Sequence, residues 1–158
     1  MEQTIEYRQQ LMEEYKALIM PLLRYLPWFE QHVGKKTGSV YQGAGAEECS
    51  MQIPVYDSTL MNFVREASKS PLMDRNYKYV YTRNRIASHD DERKIIKNSG
   101  WKQWDILRGI LSNYVMGGRI RGALWNEAVT EGIFYLTLSK MKEIVEFWDK
   151  QATDIEGN

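Results

Sequence analysis

The sequence predicts a mainly α protein, an irregular helical bundle of about five to six helices. Apolar residues recur at steps of three and four along most of the chain, short glycine turns separate the later helical stretches, and no heptad run is long enough for an extended coiled coil. With 158 residues, 43% hydrophobic and 27% charged, the chain has the size and composition of one globular domain that buries its own core. That domain is expected over 1–150.

The first stripe, Leu11, Tyr15, Leu18, Leu22, Tyr25 and Phe29, predicts an amphipathic helix over most of 4–33. Pro21 and Pro27 each remove a backbone donor and crowd the preceding turn, so the stripe is expected on a kinked helix or on two helical pieces. Gly34 ends it and opens 34–50, where four glycines and two adjacent lysines predict a flexible surface loop. Met51, Ile53 and Val55 then alternate with Gln52, Pro54 and Tyr56, the pattern of a short edge strand. Asp57 or Ser58 caps a helix to about Lys69 that buries Leu60, Phe63, Val64 and Ala67 before Pro71. Residues 77–83 alternate again, with Tyr77, Tyr79, Tyr81 and Arg83 on one side and Lys78, Val80 and Thr82 on the other. This alternation admits a strand, and with it a minor β hairpin.

Ser88, followed by Asp90, Asp91 and Glu92, opens a short helix that stops at Gly100, because carboxylates in a first turn complement its free N–H groups. From Trp101 the pattern is strongest: Trp104, Leu107, Leu111 and Tyr114 form one stripe, widened by Ile106, Ile110 and Val115, up to Gly117-Gly118. A helix from about Ile120 to Glu131 is expected to bury Ile120, Ala123, Leu124 and Ala128. Gly132 separates it from a last helix with Phe134, Leu138, Met141, Val145 and Trp148 on one face. The polar stretch 151–158 is expected to fray.

Several function classes lose support at once. The 21 basic and 21 acidic residues cancel, so no whole-molecule field draws the chain onto nucleic acid or acidic lipid. The lone Cys49 excludes an internal disulfide, and the acidic opening Met-Glu-Gln-Thr-Ile-Glu is unlike a secretory signal, so a cytoplasmic protein is expected. No apolar run approaches the roughly 20 residues of a membrane-spanning helix. Neither Ser-His-Asp spacing, HExxH nor paired CxxC occurs, and neither a cofactor nor a bound metal is expected.

Four constellations carry chemistry. Between Ser58 and Ile86 stand six basic residues (Arg65, Lys69, Arg75, Lys78, Arg83, Arg85) against two acidic ones (Glu66, Asp74). Tyr77, Tyr79 and Tyr81 interleave the later part, and rings alternating with cations are what a single-stranded nucleic-acid surface requires. The plainer reading packs the tyrosines on the bundle and leaves the cations in water. Gly117-Gly118-Arg119-Ile120-Arg121-Gly122 places N–H groups and two guanidiniums at a helix start, suited to a phosphate or carboxylate, and also to a tight helical hairpin with no ligand. A helix-turn-helix reading of 119–131 meets Glu127 and Glu131, which phosphates repel. His89-Asp90 matches the paired ligands of HD-type phosphohydrolases, with His32 and Asp105 or Asp149 as further candidates, although Asp90 and Asp91 already serve a helix start.

The run Trp101 to Trp148, with the Gly118-Arg119-Ile120-Arg121-Gly122 turn and the Glu131-Gly132 break, resembles an uncharacterised family of small bacterial helical proteins. The resemblance covers about the last third of the chain and implies a compact bacterial helical domain with an accessory or regulatory role and no transferred catalytic residue. The expected function is a non-catalytic interaction or regulatory protein that contacts a protein partner, or a second copy of itself, through the tyrosine-basic segment or an aromatic helix face. Binding of nucleic acid or a phosphate ligand through Arg119, Arg121 and the segment from Arg75 to Arg85 is the alternative. A metal-dependent phosphohydrolase is the third reading.

Overall fold

The computed structural model describes residues 2–34, 39–40, 54–55, 57–121 and 123–156. Among them the chain forms eight helices: α1 (Glu2–Leu23), α2 (Leu26–His32), α3 (Ser58–Ser68), α4 (Tyr77–Arg83), α5 (His89–Lys97), α6 (Trp104–Gly117), α7 (Ala123–Thr130) and α8 (Ile133–Glu156). The mainly α expectation holds, but the count exceeds five to six. Most of the loop expected over 34–50, Cys49 included, lies outside the described residues. Ser39–Val40 (β1) and Pro54–Val55 (β2) make a two-residue antiparallel pairing, Ser39 opposite Val55.

The N-terminal stripe divides into two pieces at Arg24 and Tyr25. Pro21 is carried inside α1, whereas Pro27 sits at the start of α2, where its missing N–H would have had no helical acceptor. Asp57 caps α3 by accepting from the Thr59 N–H at 2.7 Å. Ser88 caps α5, its hydroxyl accepting from the Asp91 N–H at 3.1 Å while the Asp91 carboxylate accepts from the Ala87 N–H at 3.0 Å.

The strand expected over 77–83, and the hairpin that would include it, are corrected to helix α4. An isolated strand leaves its ladder unpaired, and α6 offers this segment a groove for Val80 at Gly109 instead of a strand edge. A Cβ on Gly109 would stand 2.7 Å from a Val80 methyl, so the two helices approach as closely as a bare α-carbon permits. Two further corrections fall near the C-terminus. Ile120, expected in the core, is 87% exposed, because the chain from Gly118 to Arg121 is a turn and α7 begins only at Ala123, itself exposed. The backbone stays helical past Gln151 to Glu156, since neither glycine nor proline occurs between Ile133 and Glu156.

The core gathers around α8, which packs on α1, α2, α5, α6 and α7. Phe134 of α8 meets Phe29 of α2, Phe63 of α3 and Tyr114 of α6 at ring-centroid distances of 5.4, 5.1 and 6.0 Å. Tyr15 of α1 stacks on the buried Trp104 of α6 at 4.0 Å. The connection between α3 and α4 is held from α6: the Arg108 guanidinium donates to the carbonyls of Pro71, Leu72 and Met73, and the Asp74 N–H donates to the Ser112 hydroxyl at 2.8 Å. The base under α4 is therefore firm.

Candidate functional site

The tyrosine-basic segment folds as α4 and the turn that follows it. Arg75, Lys78, Arg83 and Arg85 are all exposed, and none forms an ion pair with another described residue. A helix turns by 100° per residue where a strand turns by 180°, so the three tyrosines separate instead of lining one side. Tyr79 is 63% exposed among the cations, Tyr77 is half-buried, and Tyr81 points inward.

The turn after α4 carries an uncommon backbone. The Ile86 N–H donates to the Tyr81 carbonyl at 3.0 Å and the Arg85 N–H to the Thr82 carbonyl at 3.3 Å, the two crossed bonds of a Schellman ending, with Ile86 buried. The residue this ending places in the left-handed region is usually glycine. Here it is Arg85, with φ of 55°, the only non-glycine residue with positive φ among the described residues. A Cβ in that conformation costs on the order of 1 kcal/mol.

Beneath this turn lies a buried polar cluster that fixes α4 to the bundle. Glu92 is 2% exposed. One of its oxygens accepts from the Tyr81 hydroxyl, and the other from the Tyr114 hydroxyl at 2.7 Å and from His89 Nδ1 at 2.7 Å. The opposite ring nitrogen of His89, Nε2, meets Glu127 of α7 at 2.6 Å. Four helices thus meet on one carboxylate and one imidazole. Burial, the largest single influence on His89, opposes its charge, but its bonds to Glu92 and Glu127 outweigh that and hold the imidazole above its ordinary value. Burial first, then the charge and hydrogen bond of Glu92, push both Tyr81 and Tyr114 upward, so these phenols stay protonated donors. A cleft of about 340 Å³ opens beside the cluster, bounded by Ile86, Ser88 and Asn113 as well as by the bonded groups.

This geometry withholds the metal site envisaged for His89-Asp90. Both nitrogens of His89 face carboxylates, Asp90 turns to Arg93 at 2.7 Å, and His32 stacks on Trp28 with Nδ1 on the Trp28 carbonyl. Asp105 pairs with Arg108, the side chain of Asp149 lies outside the described residues, and no group of three metal-ligating side chains occurs among those described. At the glycine turn, Arg119 and Arg121 are exposed. The N–H groups of Gly118, Arg119, Ile120 and Arg121 all donate to carbonyls of α6 between Tyr114 and Gly117, so they form no open anion cradle.

From sequence Glu92 reads as a helix-start carboxylate, Tyr114 as a core residue and Glu127 as a charge that repels phosphate, and none of the three reads as part of a site. A signal for Glu92 exists in retrospect: it stands four residues before Ile96 and seven before Ser99, on the buried face of α5, where a helix-start carboxylate would face water. No helix among the described residues is long and apolar enough to cross a membrane. Comparisons with models of protein families, with curated proteins and with solved structures find no match to this chain, so the reading of this surface rests on its own residues.

Proposed function

We propose that this chain is a non-catalytic interaction domain whose contact surface is α4 and the turn after it, and that this surface takes an acidic segment of a partner protein. The observation that carries this reading is Arg85. A residue kept in the left-handed region where glycine is unstrained, beside three exposed cations that form no ion pair among the described residues, is a side chain retained at the expense of its backbone. Partner carboxylates would satisfy guanidiniums that the described residues leave in water. The cluster around Glu92 supports the role by holding the base of α4 rigid, which lowers the ordering cost of docking.

Binding of single-stranded nucleic acid is the second reading, favoured by Tyr79 standing exposed among the same cations. It is the weaker of the two because Tyr81 is withdrawn to Glu92 and Tyr77 is half-buried, which leaves one ring to stack where the sequence offered three.

A titration of the full chain against a fluorescent poly-glutamate peptide and a fluorescent oligothymidine, at low and physiological salt, separates these readings. The peptide is expected to bind with a salt-sensitive affinity that falls about tenfold in Arg83→Ala/Arg85→Ala, with the helical circular dichroism unchanged. Tighter binding of oligothymidine transfers the surface to the nucleic-acid reading. Binding of neither at low salt, or binding indifferent to the double variant, overturns both.

A further inference from the structure

A second pocket, away from α4, is bordered by an arginine that has no carboxylate partner among the described residues. Between α1, the turn entering α6 and α8 lies a cavity of about 390 Å³ walled by Met12, Trp101, Ile144 and Phe147. Its polar lining is Arg8, Ser99, Lys140 and Glu143. The Arg8 guanidinium lies 4.9 Å from the centre of the Trp101 ring, and its Nε is buried with no hydrogen-bond partner among the described residues. Lys140 is paired with Glu143 at 3.3 Å, whereas Arg8 has no carboxylate partner among the described residues. Phe147 is 62% exposed at the mouth.

We infer that this pocket binds a small amphiphilic carboxylate, its apolar body against Met12, Ile144 and Phe147 and its carboxylate on Arg8. The Arg8 guanidinium has no carboxylate partner among the described residues, and a carboxylate is the group its planar fork of donors matches. The Trp101 face fixes the guanidinium at the pocket wall by cation–π attraction, so that its donors are pre-oriented. Mostly apolar walls with a few convergent polar groups are the usual make-up of a small-molecule site. The charge decides the ligand class. With Lys140 compensated by Glu143, one cation remains, and it matches a monoanion; an amine would bring a like charge to Arg8.

The test uses 4-phenylbutyrate, with 4-phenylbutanol and 4-phenylbutylamine as its uncharged and cationic counterparts, titrated into the full chain by calorimetry and followed by saturation-transfer NMR. Phenylbutyrate is expected to bind at least about tenfold more tightly than either counterpart. Arg8→Met is expected to abolish that preference, and Phe147→Ala to weaken all binding. In the absence of ligand Arg8→Met is expected to raise the thermal midpoint, because it removes an unpaired buried donor; a drop would mark Arg8 as a packing residue and overturn the assignment. Equal binding of the three compounds, or no binding of phenylbutyrate to the unaltered chain, overturns it as well. The variants lie outside α4, so failure here leaves the acidic-segment reading standing.

Discussion

Arg85 shows how one residue sets backbone cost against side-chain use. Arg85→Gly places the unstrained residue at φ of 55° and is expected to raise unfolding stability by about 1 kcal/mol, read as a higher urea midpoint, while weakening the poly-glutamate complex. If the side chain had no use, the first effect would appear without the second. His89 yields a pH prediction of definite sign. Its folded-state value lies above the ordinary 6.5, so protonation favours the folded chain. The stabilisation is fully present below that ordinary value and is lost as pH rises through the folded-state one. Urea midpoints from about pH 6 to 8 should therefore fall more steeply for the unaltered chain than for His89→Gln. At this scale the sequence showed the exposed cations, whose types and density are visible in the string, but not the Glu92 cluster. That cluster joins residues from α4, α5, α6 and α7, and only the packed fold brings Tyr81, Tyr114 and Glu127 to the same carboxylate.

Helices announced by apolar spacing and side-chain caps were legible with their ends: Asp57 and Ser88 cap where expected, and Gly132, with φ of 77°, separates α7 from α8. Helix α4 was not legible. Its Tyr-Lys-Tyr-Val-Tyr-Thr-Arg string alternates, and β-propensity describes a fit to a pleated surface that this fold does not supply. What decides the element is Gly109, on another helix and 26 positions beyond Arg83. Gly109→Ala would drive a methyl into Val80 at 2.7 Å and force α4 off α6. The expected cost is about 1–3 kcal/mol by thermal unfolding, partly recovered in Gly109→Ala/Val80→Ala, since the Val80 Cβ itself stands only 2.8 Å from the added carbon. An unchanged midpoint for Gly109→Ala would show that α4 does not depend on this approach.

For the molecule as a whole, mainly helical architecture followed from periodicity alone, whereas the assignment of neighbours did not, because periodicity marks which face is buried and not what covers it. Phe134 is where those neighbours converge, with rings of α2, α3 and α6 around it. Phe134→Ala leaves a cavity shared by four helices and is expected to cost about 3–5 kcal/mol in denaturant unfolding, lowering the signals of the N-terminal and C-terminal helices together. Separate transitions for α1 and α8 would contradict a common core.

The covering of α1, α2, α5, α6 and α7 by α8 also governs the chain's birth. Of the described helices α8 is the last to leave the ribosome, so while translation is still short of Ile133 the side chains that Phe134, Leu138 and Met141 will cover have no lid. Met12 and Ile19 of α1 precede α8 by more than a hundred residues, so whatever part of their cover α8 supplies arrives late. The bundle thus closes after translation has passed its last core residues, and a nascent chain paused before α8 is an open, ring-rich surface of the kind that chaperones hold.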